Sequence, residues 1–142
     1  MRPTLDDLAT LLASPAPSVL TTYRKGGSAL TAPVWFRFED GCFEVVIADG
    51  DVKVQHLRRD PRCLLVIFEA VRPFRGIQVR GSAELSDGSE VGAVRRSIAR
   101  RYLGAEAGDA FTAARAQKSG VVVRIGTADV RTWDLAGILP DL

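Results

Sequence analysis

The sequence is poor in the residues from which reactive centres are built. It has two cysteines, Cys42 and Cys63, and one histidine, His56. The cysteines form no CxxC pair, and no metal-ligand spacing can be assembled from them and a single histidine, so no metal site is expected. A Cys63–His56 nucleophile–base pair is conceivable, but both residues lie in or beside stretches that read as structural, where free cysteine behaves as a small buried hydrophobe. No apolar run approaches the ~20 residues needed to span a bilayer. Neither Gly-x-Gly-x-x-Gly nor a P-loop occurs, which removes the two commonest nucleotide cradles. The charge is nearly balanced, 19 basic against 17 acidic residues and a net +2 at pH 7. That excess is too small to imply a nucleic-acid partner. Met1-Arg2-Pro3 leads into a polar, acidic helix start with no signal character. The expectation is a cytoplasmic, reduced protein with neither a membrane nor a nucleic-acid partner.

What is present is a chain of 142 residues, 46% hydrophobic and 25% charged. It is long enough for one domain with its own core. Thr4 to Ala13 reads as a helix capped by Thr4, with Leu5, Leu8, Leu11 and Leu12 on one face. Alternation then takes over. Strands are expected at Ser18 to Arg24, Ala29 to Phe38, Cys42 to Ala48, Arg62 to Ala70, Gly76 to Leu85, Val121 to Ile125 and Ala128 to Trp133. Tight turns at Lys25-Gly26-Gly27 and Glu39-Asp40-Gly41 join the early ones. Pro33 cannot donate to a ladder, so its strand lies at an edge or beside a bulge. Leu64 to Phe68 is apolar on both faces, which calls for cover on both sides, one of them a partner chain. A helix opened by a capping box at Asp87 and Glu90 buries Val91, Val94, Ile98 and Tyr102. It leaves Arg95, Arg96, Arg100 and Arg101 on a solvated face and closes at Gly104. A second helix follows over roughly Glu106 to Lys118. Six or seven strands joined by tight turns, with helices at the ends and in one late pair, call for an antiparallel barrel.

The candidate site runs from Asp49 to Arg62. Asp51 can cap a helix ending near Arg59, and Asp60-Pro61 stops it. Val52, Val54 and Leu57 pack down, leaving Lys53, Gln55, His56, Arg58, Arg59 and Arg62 facing outward or toward a groove. Lys53 falls in the first turn, where free backbone N–H groups and the helix dipole favour an anion, and a lysine adds a compact charge for a phosphate. The same pattern also describes a solvated basic helix face. Trp35 can stack beside a ring or serve as a barrel or interface residue, whereas Trp133 reads as packing.

Taken in order, Val19-Leu-Thr-Thr-Tyr-Arg, Ala32-Pro-Val-Trp-Phe, Glu39-Asp-Gly, the lysine helix ending Leu57-Arg-Arg-Asp-Pro-Arg62, and Gln78-Val-Arg-Gly-Ser-Ala-Glu84 resemble the pyridoxamine phosphate oxidase-like split-barrel superfamily. They are most similar to its branch that uses the deazaflavin coenzyme F420. The resemblance spans Ser18 to Leu85 and extends more loosely to the last strands. It implies a mainly β (α+β) fold over residues 1–142, an antiparallel split barrel of the FMN-binding type with short peripheral helices. It also implies a homodimer with two cofactor sites at the subunit interface. By the same resemblance Lys53 holds the cofactor phosphate, with Arg58 and Arg59 nearby. The ring lies along Pro33-Val34-Trp35-Phe36, and the strand end at Val46-Ile47-Ala48 approaches it through backbone atoms. Many members carry a threonine or serine where this chain has Ile47 and Ala48. A glutamine precedes the later strand of the B6 oxidases proper, about where this chain has Gly76, and their C-terminal substrate-binding residues are not recognisable.

The implied activity is hydride transfer from reduced deazaflavin to a small unsaturated or conjugated substrate. Such chemistry asks little of side chains, because the cofactor carries the reactive carbon, and no catalytic residue is assigned. An FMN-dependent enzyme of the same superfamily, or a non-catalytic flavin- or haem-binding protein on the same barrel, uses the same features.

Overall fold

The computed structural model describes residues 2–141. A 3-10 turn at Asp6–Leu8 leads into α1 (Ala9–Ala13). Thr4 caps this start as expected: its hydroxyl accepts from the Asp7 N–H, and the Asp7 carboxylate accepts from the Thr4 N–H. Then come β1 (Ser18–Tyr23), β2 (Ala29–Val34), β3 (Arg37–Glu39), β4 (Cys42–Ala48), α2 (Val52–Arg59), β5 (Arg62–Phe68), β6 (Gly76–Ser82) and β7 (Glu84–Ser86). The chain ends with α3 (Val91–Leu103), α4 (Ala105–Ala114), β8 (Gly120–Ile125) and β9 (Asp129–Trp133).

All strand pairs are antiparallel. They build a five-stranded sheet in the order β2-β1-β5-β6-β9 and a four-stranded sheet in the order β3-β4-β8-β7. The two sheets do not close on each other, as a split barrel requires. Two of the seven expected strands are each divided between the sheets, which makes nine among the described residues. The chain leaves the first sheet at Val34 and enters the second at Arg37, with Trp35 and Phe36 at the corner. It turns a second corner at Ala83, whose N–H donates to the Pro61 carbonyl at 2.8 Å. Pro33 does lie on an edge strand, β2, where its missing N–H costs no ladder bond.

The core lies between the sheets. Phe43, Val45 and Ile47 of β4 meet Leu65 and Ile67 of β5, Val79 of β6 and Ile125 of β8. In β5 the inward residues Cys63, Leu65 and Ile67 are buried, while Leu64, Val66 and Phe68 on the other face are half-buried. Val66 stands opposite Val19 on one side and Gln78 on the other, which extends this face across three strands. Gly76 is paired with Trp133 and lies under its indole, so a Cβ there would fall inside the ring. Trp133 is thus a packing residue. The β3–β4 hairpin turns through Asp40 and Gly41 at φ 51° and 73°, the positive angles of a two-residue primed turn.

Several local expectations fail. Asp87 and Glu90 form no capping box: Glu90 is itself the residue before α3 and makes no side-chain capping bond. The last helix stops at Ala114 rather than Lys118, in turns closed by Arg115, Ala116 and Lys118 N–H groups. The arginines of α3 divide: Arg96 and Arg100 lie on the exposed face that was expected, whereas Arg101 turns inward. Arg96 and Arg100 both grip Asp109 of α4, at 2.9 and 2.6 Å. The Arg101 guanidinium donates to the carbonyls of Phe36, Leu12 and Ser14 at 3.0, 2.9 and 2.8 Å. Beside it, the Tyr102 hydroxyl donates to Ala16 O at 2.8 Å and accepts from the Phe36 N–H. An arginine fork suits such carbonyl clusters because its donors are fixed in one plane.

Candidate functional site

The strand β4 ends at Ala48, and a tight turn carries the chain into α2, with the Asp51 N–H donating to Ala48 O at 3.0 Å. Asp51 caps the helix as its sequence position predicts. One carboxylate oxygen accepts from the Lys53 N–H at 2.9 Å and the other from Lys53 Nζ at 3.1 Å. The helix start is therefore not an open set of N–H groups. It already holds an anion, supplied by the chain. Burial alone would raise the Asp51 pKa, but the bonds from Lys53 outweigh it and hold the carboxyl below the usual carboxylate range. The Lys53 side chain is only 15% exposed, and its ammonium group has three donors, one of them committed to Asp51.

The remaining cations around α2 each have a partner at the surface. Arg58 pairs with Asp49 at 3.0 Å, and Arg59 donates to the Tyr23 carbonyl at 2.6 Å. Arg62 pairs with Asp60 at 2.8 Å and lies over the Tyr23 ring. Two residues of the helix depart from expectation. Val52 is exposed rather than packed, because Val54, His56 and Leu57 form the side facing the barrel. His56 is buried rather than outward, with Nδ1 2.9 Å from the Thr22 hydroxyl of β1. Cys63 does not pair with it; its thiol contacts Gly81 O, and burial pushes its pKa up to about 11. No cysteine nucleophile is formed.

The second half of the site is a cleft of about 160 Å³ between β4 and the α3–α4 pair. Trp35, Val46, Ile98 and Phe111 form its walls, and Ala48 lies at its edge. Trp35 stacks on Tyr102 with centroids 5.0 Å apart and meets Phe111 at 5.4 Å. One face of its indole is thus already used. Three cations, Arg95, Arg115 and Lys118, also line the cleft.

The structure brings Trp35 and Ala48 together at this cleft and places Lys53 at the head of the helix that follows Ala48. It does not bring the side chains of Phe36 and Ile47 there; both are in the core, and the Phe36 N–H and carbonyl are taken by Tyr102 and Arg101. Pro33 and Val34 lie along the edge strand, Pro33 exposed and Val34 partly packed on the core, with the Val34 carbonyl accepting from Ser18. Arg95, Phe111, Arg115 and Lys118 were not singled out for the site by sequence. A signal existed for two of them: Phe111 is the one large apolar residue of α4, and Arg115 follows at i+4 with its guanidinium 4.7 Å from the ring centroid.

A family model described as pyridoxamine 5'-phosphate oxidase matches residues 4–134. The chain belongs to this family. Among solved structures, a conserved hypothetical protein from Mycobacterium tuberculosis superposes with a TM-score of 0.84 at 24% identity, covering 99% of this chain and 91% of its own. An F420 reductase superposes at 0.70 with 20% identity, over 86% and 94% of the two chains. The haem storage protein HutZ from Vibrio cholerae superposes at 0.68 with 13% identity, over 92% and 94%. At these identities the likeness is one of fold. None of the curated proteins matches the sequence. No group of metal-ligating side chains occurs among the described residues, and no helix is long and apolar enough to cross a membrane. Family membership thus places the chain among flavin-binding, oxidoreductase-type split barrels.

Proposed function

We propose that the chain is an oxidoreductase that uses reduced coenzyme F420 to transfer a hydride to a small unsaturated or conjugated organic substrate. The observation that carries this is the head of α2. There the Lys53 ammonium group commits one of its three donors to Asp51 and keeps the others for an anionic group, so a cofactor phosphate would bind beside the Asp51 carboxylate and not in its place. Lys53 would hold the phosphate, with Arg58 and Arg59 at the far end of the helix. The backbone at Pro33, Val34, Trp35 and Phe36 and the strand end at Ile47 and Ala48 would flank the ring. When bound, the deazaflavin supplies the hydride. The chain supplies position, through Trp35 fixed against Tyr102 and through the aromatic wall of the cleft beside Ala48. An F420 reductase with the same fold over most of both chains supports the choice of cofactor.

A second reading has its own observation. Arg58, Arg59 and Arg62 are each engaged within the chain, which leaves less free positive charge for a long anionic tail. FMN, with a single phosphate, would need little beyond Lys53. A solved FAD-binding protein from Mesorhizobium loti and the haem protein above share this fold, so a flavin enzyme or a non-catalytic carrier is the alternative.

The half-buried outer face of β5 supports a homodimer, with the sites at the subunit interface. Purified protein titrated separately with F420, FMN and haem, and followed by absorbance, decides the cofactor. A saturable change with F420 is expected. Saturation with FMN or haem and none with F420 overturns the proposal in favour of the alternative.

A further inference from the structure

The cleft between β4 and the α3–α4 pair joins aromatic walls to a cluster of cations. Its volume of about 160 Å³ is close to the ~150 Å³ that accommodates a single benzene ring. Its walls are apolar and aromatic, and its lining includes three cations and no carboxylate. None of Arg95, Arg115 and Lys118 forms an ion pair among the described residues, whereas most other arginines near the site do. Arg95 instead donates to the carbonyls of Arg115 and Lys118, both at 3.2 Å, which draws the segment after α4 over the cleft and brings the cations together. Burial, and then the neighbouring Arg115 charge, lower the Arg95 pKa, as expected of cations gathered without a counter-ion.

We propose that this cleft binds a single-ring aromatic or conjugated carboxylate, with the ring between Trp35, Ile98 and Phe111 and the carboxylate at Arg95, Arg115 and Lys118. That this ligand is the hydride acceptor rests on the function proposed above; the binding itself does not. Charge complementarity selects the acid: a neutral analogue gains the apolar contacts but forgoes the charge-assisted bonds to the three cations.

The test uses the apo protein carrying Trp133→Phe, so that Trp35 is the only tryptophan, titrated with 4-nitrobenzoate as quencher. Saturable quenching is expected, with at least tenfold weaker binding of 4-nitrobenzyl alcohol. The double substitution Arg115→Gln/Lys118→Gln should weaken nitrobenzoate at least tenfold, and Lys118→Gln alone should weaken it measurably, with circular dichroism unchanged in both. Absence of saturation, equal affinity for acid and alcohol, or variants that bind as well as the parent overturns the proposal. An F420 titration of the same samples separates the two ideas. Nitrobenzoate binding without F420 binding leaves the cleft assignment standing and removes the proposed function; the reverse outcome removes only the cleft ligand.

Discussion

The Nδ1 atom of His56 lies 2.9 Å from the Thr22 hydroxyl, and both residues are buried. This bond joins α2 to β1 and so fixes the helix that presents Lys53. Burial first, then the charges of Arg59 and Arg24, hold the His56 pKa below its ordinary 6.5. Above that value the ring is neutral in folded and unfolded chains alike, and it adds no pH dependence. Below it the unfolded chain takes up a proton that the fold resists, so stability falls as the pH drops. The melting temperature should therefore decrease from about pH 7.5 to about pH 5.5. His56→Gln, which keeps a hydrogen-bonding side chain without the titration, should flatten that slope. A parent protein with no slope over this range would mean that the ring is not held neutral.

Lys53→Glu places a second carboxylate beside Asp51 and removes the ammonium group. A charge-assisted contact is worth about 1.5–3 kcal/mol, so cofactor affinity should fall roughly ten- to hundredfold. The absorbance titration measures it. Unchanged affinity in a variant that still melts cooperatively would end the phosphate role of Lys53.

Gly76 lies under the Trp133 indole with no room for a side chain. Gly76→Ala should destabilise the fold by about 1–3 kcal/mol, as overpacking does. Adding Trp133→Ala should recover part of the loss, a coupling readable in a urea-denaturation double-mutant cycle. Additive effects would mean that the ring does not press on this backbone.

Glu44 is buried and accepts from Arg37 at 2.7 Å and from Arg124 at 2.5 Å. Glu44→Gln leaves two guanidinium groups, both reaching solvent, facing a neutral amide and should cost about 2 kcal/mol in urea denaturation. A loss below about 1 kcal/mol would place this cluster among ordinary surface pairs.

Val66 sits at the centre of the half-buried outer face, between Val19 and Gln78. Light scattering should report a dimer for the parent protein and a folded monomer for Val66→Arg. A monomeric parent would refute the interface.

The sequence was informative wherever one local rule acted alone. Alternation located all seven strand segments, and Asp51 ahead of Val52 marked the start of α2. Alternation continues across a barrel corner, however, so nothing in Ala29 to Phe38 or in Gly76 to Leu85 announced that each segment changes sheets. Charge pattern failed for a related reason. Arg96 and Arg100 stay exposed and find Asp109 only because the next helix is brought against them, while Arg101 turns inward to acceptors at Leu12 and Ser14. His56 shows the same gap: helical spacing puts it between Gln55 and Leu57, but only the position of Thr22 makes its burial affordable. The cationic cleft was invisible for the same reason, since its lining comes from segments that lie far apart in the chain.

The three carbonyls gripped by Arg101 also bear on the order of events. Two of them, Leu12 and Ser14, lie 89 and 87 positions earlier in the chain. The first helix therefore cannot take its final place until α3 exists to receive it, and during synthesis most of the barrel is made before its own beginning can be fastened. Contacts of such long sequence separation are slow to form. The amino-terminal segment should be among the last to gain, and the first to lose, protection from hydrogen exchange.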